Sequence, residues 1–161
     1  MAGDRSKRRR TRIRNRRSRL EVFKTVRCGP AADWILAVAG RAVPPGPGGG
    51  EGRIRIILTS DPQIRGLNAR FLKRDRPTDV LAFPLGDGAD DVFGEVYVSI
   101  DRAREQAGRY GVGLKEELAR LVIHGMLHLY GHSDRTRAGK TGMRKLEDAC
   151  LDECREANLL G

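Results

Sequence analysis

The chain is poor in cysteine, in aromatic residues and in long apolar runs. Its 161 residues include three cysteines, Cys28, Cys150 and Cys154, and only 5% of the residues are aromatic. An odd number of irregularly spaced cysteines does not make a disulfide framework, so we expect reduced thiols and a soluble, cytoplasmic protein. No apolar stretch approaches the roughly 20 residues of a transmembrane helix, and the basic N-terminus lacks the apolar core of a secretory signal. We therefore expect no membrane partner.

The positive charge is concentrated at the N-terminus. The chain contains 31 Lys/Arg and 21 Asp/Glu, a formal net charge of +10. Residues 1–19 hold ten of the basic residues and one acidic residue, so they carry +9 and the rest of the chain carries +1. Because they have almost nothing to bury, residues 1–19 are predicted to be a disordered basic arm. Such an arm would bind RNA phosphates without sequence preference; the alternative is a solvated tail.

Residues 20–161 are predicted to form one domain of the α+β class. Their apolar patterns follow the order β-α-β-α-β-β-α-α-α, which indicates a small mixed β-sheet packed with helices. The Pro/Gly-rich residues 43–52 are interpreted as a loop within this domain. Strands are predicted at about 20–24, 53–59, 80–83 and 92–100, and helices at about 31–41, 62–71, 101–110, 114–130 and 141–158. The side chains predicted to face inward from the last helix are Met143, Leu146, Ala149, Cys150 and Leu151.

The apolar helix that ends near Gly131 carries two histidines four residues apart. His124 and His128 lie one turn apart on one face, so both rings can reach a single ion, at about 2.0–2.1 Å for zinc. Gly131 suits the left-handed conformation that often ends a helix, and the chain can then turn back with a third ligand. Asp134 is the expected third ligand, and His132 is the alternative. Three protein ligands leave a fourth position for water.

The spacing of these ligands resembles that of the metzincin zinc proteases, with one difference. Those enzymes carry a glutamate, the general base, directly after the first histidine. The corresponding residue here is Gly125, so the sequence disfavours a zinc peptidase. Glu117 falls on the same side of the helix as the histidines. It could support a ligand, or it could be an exposed helix carboxylate.

Two motifs occur in the order and form that they have in one known family. Residues 67–84, LNARFLKRDRPTDVLAFP, are similar to L-N-x-x-[YF]-R-x-x-D-x-P-T-D-V-L-[SA]-F-P, and residues 124–131, HGMLHLYG, are similar to H-G-x-L-H-L-x-G. Both are signatures of the YbeY family of bacterial metal-dependent endoribonucleases, and the resemblance covers roughly residues 20–158. The chain has Asp134 where the family has histidine, and Leu72 where many members have arginine. An oxygen ligand such as Asp134 should lower the selectivity for zinc over manganese or iron.

The resemblance implies an endoribonuclease of the single-strand type, acting in ribosomal RNA processing and ribosome quality control. It implies RNA and the small ribosomal subunit as partners, and leaves the oligomeric state undefined. The cofactor would be one Zn²⁺ per chain bound by His124, His128 and Asp134, with other divalent metals open because of Asp134. Cleavage would use either a zinc-activated water or zinc-assisted attack by the ribose 2′-hydroxyl.

The sequence assigns no catalytic residue. Lys73 and Arg74, with Arg76 beside them, are the candidates for stabilising negative charge in the transition state, and the alternative is a solvated basic loop. A second function remains open because Leu72 and Asp134 depart from the family pattern. This alternative is a non-catalytic RNA-binding or ribosome-binding factor with a structural metal.

Overall fold

A mixed β-sheet and the helices packed on it make up the described part of the chain. The structure is a computed structural model that describes residues 11–12, 19–45, 52–86 and 92–161. Its strands are β1 (Thr11–Arg12), β2 (Arg19–Lys24), β3 (Arg53–Thr59), β4 (Val80–Pro84) and β5 (Val92–Ser99). Its helices are α1 (Ala32–Arg41), α2 (Asp61–Leu72), α3 (Ile100–Tyr110), α4 (Leu114–Leu129) and α5 (Arg137–Glu156).

The sheet has the strand order β1-β2-β3-β5-β4. Strands β2, β3 and β5 run parallel, and β1 and β4 pair antiparallel with their neighbours at the two edges. Parallel neighbours need a crossover, which α1 supplies between β2 and β3. The edge strand β4 ends at Pro84, which has no N–H to offer a further strand. These features confirm the predicted α+β class with a small mixed sheet.

Strand β5 has one buried face and one partly exposed face, as its alternating sequence predicts. Val92, Val96 and Val98 are buried, whereas Phe93 and Tyr97 are only partly buried. Helix α4 covers the buried face of the sheet. Its side chains Leu118, Ile123 and Met126 are at most 1% exposed, and burial of each contributes about 1.5–3 kcal/mol.

Two glycines allow α4 to lie close to the sheet. A Cβ atom at Gly125 of α4 would overlap the side chain of Val96 in β5 and would approach Val80 Cγ2 in β4 to 2.9 Å. A Cβ atom at Gly94 of β5 would lie 2.7 Å from Leu129 Cδ2 of α4. Since glycine has no side chain, both contacts are made by backbone, and they fix the C-terminal half of α4 over β4 and β5.

Helix α5 differs from its prediction at its start and on its inner face. It begins at Arg137 because the Thr136 side chain accepts a hydrogen bond from Gly139 N at 3.0 Å and caps the helix. Met143, Cys150 and Leu151 are buried as predicted, but the prediction was wrong for Leu146, which is 38% exposed, and for Ala149, which is also exposed. Glu147 takes the inward position instead and is 8% exposed.

The predicted basic arm, residues 1–19, lies mostly outside the described residues. Within it the structure describes the backbone of Thr11–Arg12, which pairs with β2, and of Arg19, where β2 begins. Most of the predicted Pro/Gly-rich loop, residues 46–51, also falls outside them. Among the described helices, none combines the length and apolar character that crossing a membrane requires.

Candidate metal centre

Three potential metal ligands lie close together, two on the C-terminal half of α4 and one in the turn after it. The Nε2 atoms of His124 and His128 are 2.9 Å apart, and Asp134 Oδ2 lies 3.6 Å from the first and 3.8 Å from the second. The ligand atoms of a tetrahedral zinc ion are about 3.3 Å apart, since each bond measures about 2.0–2.1 Å. Among the residues that the structure describes, there is one cluster of three or more His, Cys, Asp or Glu residues that could hold a metal ion, and it consists of these three residues. Their ligand atoms all lie within 4.8 Å of one another. The donor set fits one divalent ion.

The turn after α4 brings Asp134 back to the two histidines. Gly131 has φ +88°, a left-handed conformation that favours glycine. The N–H of Gly131 donates to His128 O at 3.0 Å, and the N–H of His132 donates to Leu127 O at 3.1 Å, so the last carbonyls of the helix are paired. The side chain of His132 is exposed and is not part of the ligand group. Of the two predicted third ligands, the structure brings Asp134 to the histidines.

The second ring nitrogen of His124 contacts a residue that sequence analysis missed. His124 Nδ1 is hydrogen-bonded to Glu147 Oε1 of α5. Burial lowers the pKa of His124, but the hydrogen bond and charge of Glu147, together with Asp134 and Asp79, outweigh it and leave the pKa above its ordinary value. A signal for Glu147 existed in the sequence, because its spacing from Met143 places it on the inward stripe of an amphipathic helix.

The pKa of His128 is shifted in the opposite direction, below its ordinary value. Burial lowers its pKa, and the neighbouring His124 lowers it further. The two rings meet edge to face, with centroids 4.5 Å apart and an angle of 80° between their planes. An imidazole must be unprotonated to bind a metal, and the lowered pKa favours the neutral form of His128 near pH 7.

Glu117 is a buried carboxylate on the same helix. It is 2% exposed, so the interpretation as an exposed helix residue was wrong. Burial raises its pKa, and the charges of Asp79 and Glu147 raise it further, whereas Arg120 opposes the shift. Glu117 is therefore a buried acid, two turns before His124 on α4, that is unfavourable to ionise.

The predicted catalytic candidates lie on an exposed loop after α2. Lys73 ends that helix with φ +58°, and both Lys73 and Arg74 have exposed side chains. Over the described residues, no hydrogen bond or ion pair joins either of them to the three ligand residues. Leu72, at the position where many YbeY proteins have arginine, is 45% exposed. A role for Lys73 or Arg74 in charge stabilisation stays a prediction.

Gly125, the residue after the first histidine, faces the sheet. A side chain there would overlap Val96. The general base that zinc proteases carry at this position therefore has no room in this fold. The geometry agrees with the sequence in disfavouring a zinc peptidase.

Comparison with known proteins identifies the family. The family model described as endoribonuclease YbeY matches residues 13–155. A protein of Chlorobaculum parvum named endoribonuclease YbeY is 36% identical over 139 residues, covering 86% of this chain and 97% of its own. A protein of the same name from Acholeplasma laidlawii is 38% identical over 103 residues, covering 64% of this chain and 75% of its own. A solution structure from Thermotoga maritima aligns with a TM-score of 0.49 and 30% identity, covering 79% of this chain and 83% of the other. The chain belongs to the YbeY family of endoribonucleases.

Proposed function

We propose that this protein is a metal-dependent endoribonuclease whose ion is bound by His124, His128 and Asp134. The observation that carries the proposal is the convergence of two Nε2 atoms and a carboxylate oxygen in a chain of this family. Zinc suits two imidazoles and one carboxylate, a donor set typical of catalytic sites that keep an open fourth position. Manganese and iron also accept these ligands, because the carboxylate is a harder donor than imidazole.

The protein side chains supply orientation and charge. Glu147 holds the ring of His124, and the lowered pKa of His128 keeps that ligand unprotonated. A divalent ion held by His124, His128 and Asp134 would supply Lewis-acid chemistry for phosphodiester cleavage, with either a water or the ribose 2′-hydroxyl as the nucleophile. The exposed cations Lys73 and Arg74 contribute positive charge for RNA phosphates and for the negative charge that develops during cleavage.

We further propose ribosomal RNA as the substrate class and the small ribosomal subunit as the partner, from the family resemblance of the two motifs. The basic residues 1–19 would add affinity for RNA without sequence preference. A cytoplasmic location is consistent with the reduced state of Cys28, Cys150 and Cys154.

The test pairs metal content with RNA cleavage. Protein purified without added metal is analysed for bound ions, and cleavage of a structured RNA is measured for wild type, His128→Ala and Asp134→Ala. We expect near-stoichiometric metal in wild type, with metal and cleavage both lost in the two variants. His132→Ala is the matched control, because its exposed side chain lies outside the ligand group. Cleavage that survives His128→Ala would contradict the proposal.

One outcome would favour the alternative function. The exposed Leu72 stands where many YbeY proteins have an arginine, so the chain lacks one positive charge beside the loop at 73–76. Full metal occupancy with RNA binding and no metal-dependent cleavage would indicate a non-catalytic RNA-binding factor with a structural metal.

The candidates Lys73 and Arg74 are tested by the salt dependence of RNA binding. The slope of log affinity against log salt is negative, and removal of one phosphate contact reduces its magnitude by about 0.7–0.9. We expect Lys73→Ala and Arg74→Ala each to weaken binding with such a change in slope. Arg104→Ala removes an exposed charge from α3 and distinguishes a local contact from a general loss of positive charge. Slopes equal to that of wild type would assign both residues to a solvated loop.

A further inference from the structure

The ring of His124 presents its two nitrogens to two different groups. Its Nε2 lies among the metal ligands, 2.9 Å from His128 Nε2 and 3.6 Å from Asp134 Oδ2. Its Nδ1 contacts Glu147. A neutral imidazole carries one proton, and the partner of one nitrogen decides which nitrogen keeps a free lone pair. The group at Nδ1 therefore determines whether Nε2 can bind an ion.

Glu147 is held in place from both sides. Its backbone belongs to α5, where the neighbouring inward residues Leu151 and Cys154 are fully buried. Its Oε2 lies 3.7 Å from Arg120 Nη1 of α4, and its Oε1 is hydrogen-bonded to His124 of the same helix. A carboxylate that is 8% exposed is costly to bury unless it is paired, and here it has one hydrogen bond, to His124, and one opposite charge nearby, on Arg120.

We propose that Glu147 is the positioning residue of the metal centre. Its Oε1 accepts a hydrogen bond from the Nδ1–H of His124, which holds the imidazole in the tautomer whose free lone pair is on Nε2. The positive charge of Arg120 lies 3.7 Å from the other carboxylate oxygen and attracts it. The inference rests on the proposed function, because it assigns a role within the same metal site. Carboxylates that support a ligating histidine in this way change metal affinity or activity by about 10–100-fold when they are mutated.

The first experiment measures zinc affinity of the metal-free protein by competition with a chromophoric chelator. We expect Glu147→Ala to weaken zinc binding by about 10–100-fold and Glu147→Gln to weaken it less, since an amide oxygen still accepts a hydrogen bond without the charge. Asp148→Asn is the matched control: Asp148 lies 3.6 Å from Arg120 and is exposed, but within the described residues it makes neither a hydrogen bond nor an ion pair with His124. Its affinity should equal that of wild type.

Thermal unfolding of the same variants separates positioning from packing. A residue that only joins α4 to α5 would lower the melting temperature and leave the zinc affinity of the folded protein unchanged. Glu147→Gln keeps the size of the side chain and so provides a folded variant if Glu147→Ala does not fold. Zinc affinities of both Glu147 variants equal to that of Asp148→Asn would overturn the inference.

The second experiment reads the tautomer directly, without metal. Nitrogen-15 NMR of the metal-free protein, at a pH at which the ring is neutral, should show His124 protonated on Nδ1 in wild type. Loss of that tautomer in Glu147→Ala would support the inference, and a wild-type ring protonated on Nε2 would contradict it. If wild type showed the expected tautomer but bound no metal, the proposed function would fail and the positioning contact would stand. If His128→Ala abolished zinc binding while both Glu147 variants kept wild-type affinity, the proposed metal site would stand and the positioning role of Glu147 would fail.

Discussion

Gly125 of α4 lies directly against Val96 of β5, so close that a methyl group at residue 125 would overlap the valine side chain. The residue that follows His124 is thereby a packing position between helix and sheet. The histidine rings emerge beside this contact rather than over it, because successive helical residues are rotated by about 100°. The distance between α4 and the sheet therefore determines where the ligands stand.

Substitution of Gly125 by alanine tests this contact. The added methyl group must displace Val96 and Val80 or push α4 from the sheet, and overpacking of this kind costs about 1–3 kcal/mol. We expect the free energy of unfolding, measured with urea, to fall by that amount. The control is Gly142→Ala in α5, where a Cβ atom meets nothing within 4 Å; there the change should stabilise the protein by about 0.5–1 kcal/mol. Equal effects of the two substitutions would contradict the close packing.

The buried Glu117 makes stability depend on pH. Its pKa in the folded state lies above the ordinary 4.5. At a pH between 4.5 and the folded-state pKa, the folded protein therefore binds more protons than the unfolded chain. The free energy of unfolding must then fall as the pH rises from about 4.5 through the folded-state pKa, and this loss persists at neutral pH. Glu117→Gln removes the ionisation. We expect it to be more stable than wild type at neutral pH, with a difference that shrinks toward about pH 4.

The neighbouring Glu116 provides the control for that measurement. Glu116 pairs with Arg155 at 3.1 Å and is 26% exposed, and its charge adds less to the pKa of Glu117 than burial does, so Glu116→Gln should bring less gain in stability at neutral pH than Glu117→Gln. Thermal unfolding across the pH range compares the two variants with wild type. A Glu117→Gln protein that is less stable than wild type at neutral pH would show that the carboxylate is stabilised by its surroundings.

The third ligand should determine which metals the site prefers. An oxygen ligand favours harder ions such as Mn²⁺ more than a nitrogen ligand does. We expect Asp134→His to raise the ratio of zinc affinity to manganese affinity, measured by competition for the metal-free protein. His132→Ala should leave the ratio at the wild-type value. A ratio unchanged in Asp134→His would mean that residue 134 does not bind the ion.

The three cysteines should differ in reactivity. Burial raises the pKa of Cys150 to about 11 and also raises that of Cys154, so both are protonated at about pH 8, where an ordinary thiol is partly ionised. Cys28 is exposed. We expect a thiol reagent to label one cysteine rapidly and the other two only when the protein unfolds. Mass spectrometry should place the rapid label on Cys28, and rapid labelling of Cys150 would contradict its burial.

Local patterns predicted which histidines lie together, because that arrangement depends on a short piece of chain. His124 and His128 share a helix face by their spacing alone, and Gly131 ends the helix through its own backbone preference. The alternation in β5 predicted its buried face for the same reason. Sequence alone left Asp134 and His132 as alternatives, since the path of a turn depends on what it packs against.

The misplaced residues are those whose environment comes from another element. Leu146 is apolar but exposed, whereas Glu147 is charged but buried, because α5 turns toward His124 and Arg120 of α4. Judged by hydrophobicity alone, Leu146 is expected to be buried and Glu147 to be exposed. The same holds for Glu117, whose burial depends on how α4 lies on the rest of the domain.

By itself, the sequence determined the family, the order of helices and strands, and a helix with two histidines one turn apart, because motifs, periodicity and helix-ending glycines are properties of neighbouring residues. The tertiary structure decided which polar side chain approaches the two histidines, which carboxylate contacts His124, and why residue 125 is glycine. These depend on distances between elements far apart in the chain, such as the 23 residues between His124 and Glu147. Packing of α4 between the sheet and α5 sets those distances, and no local pattern contains them.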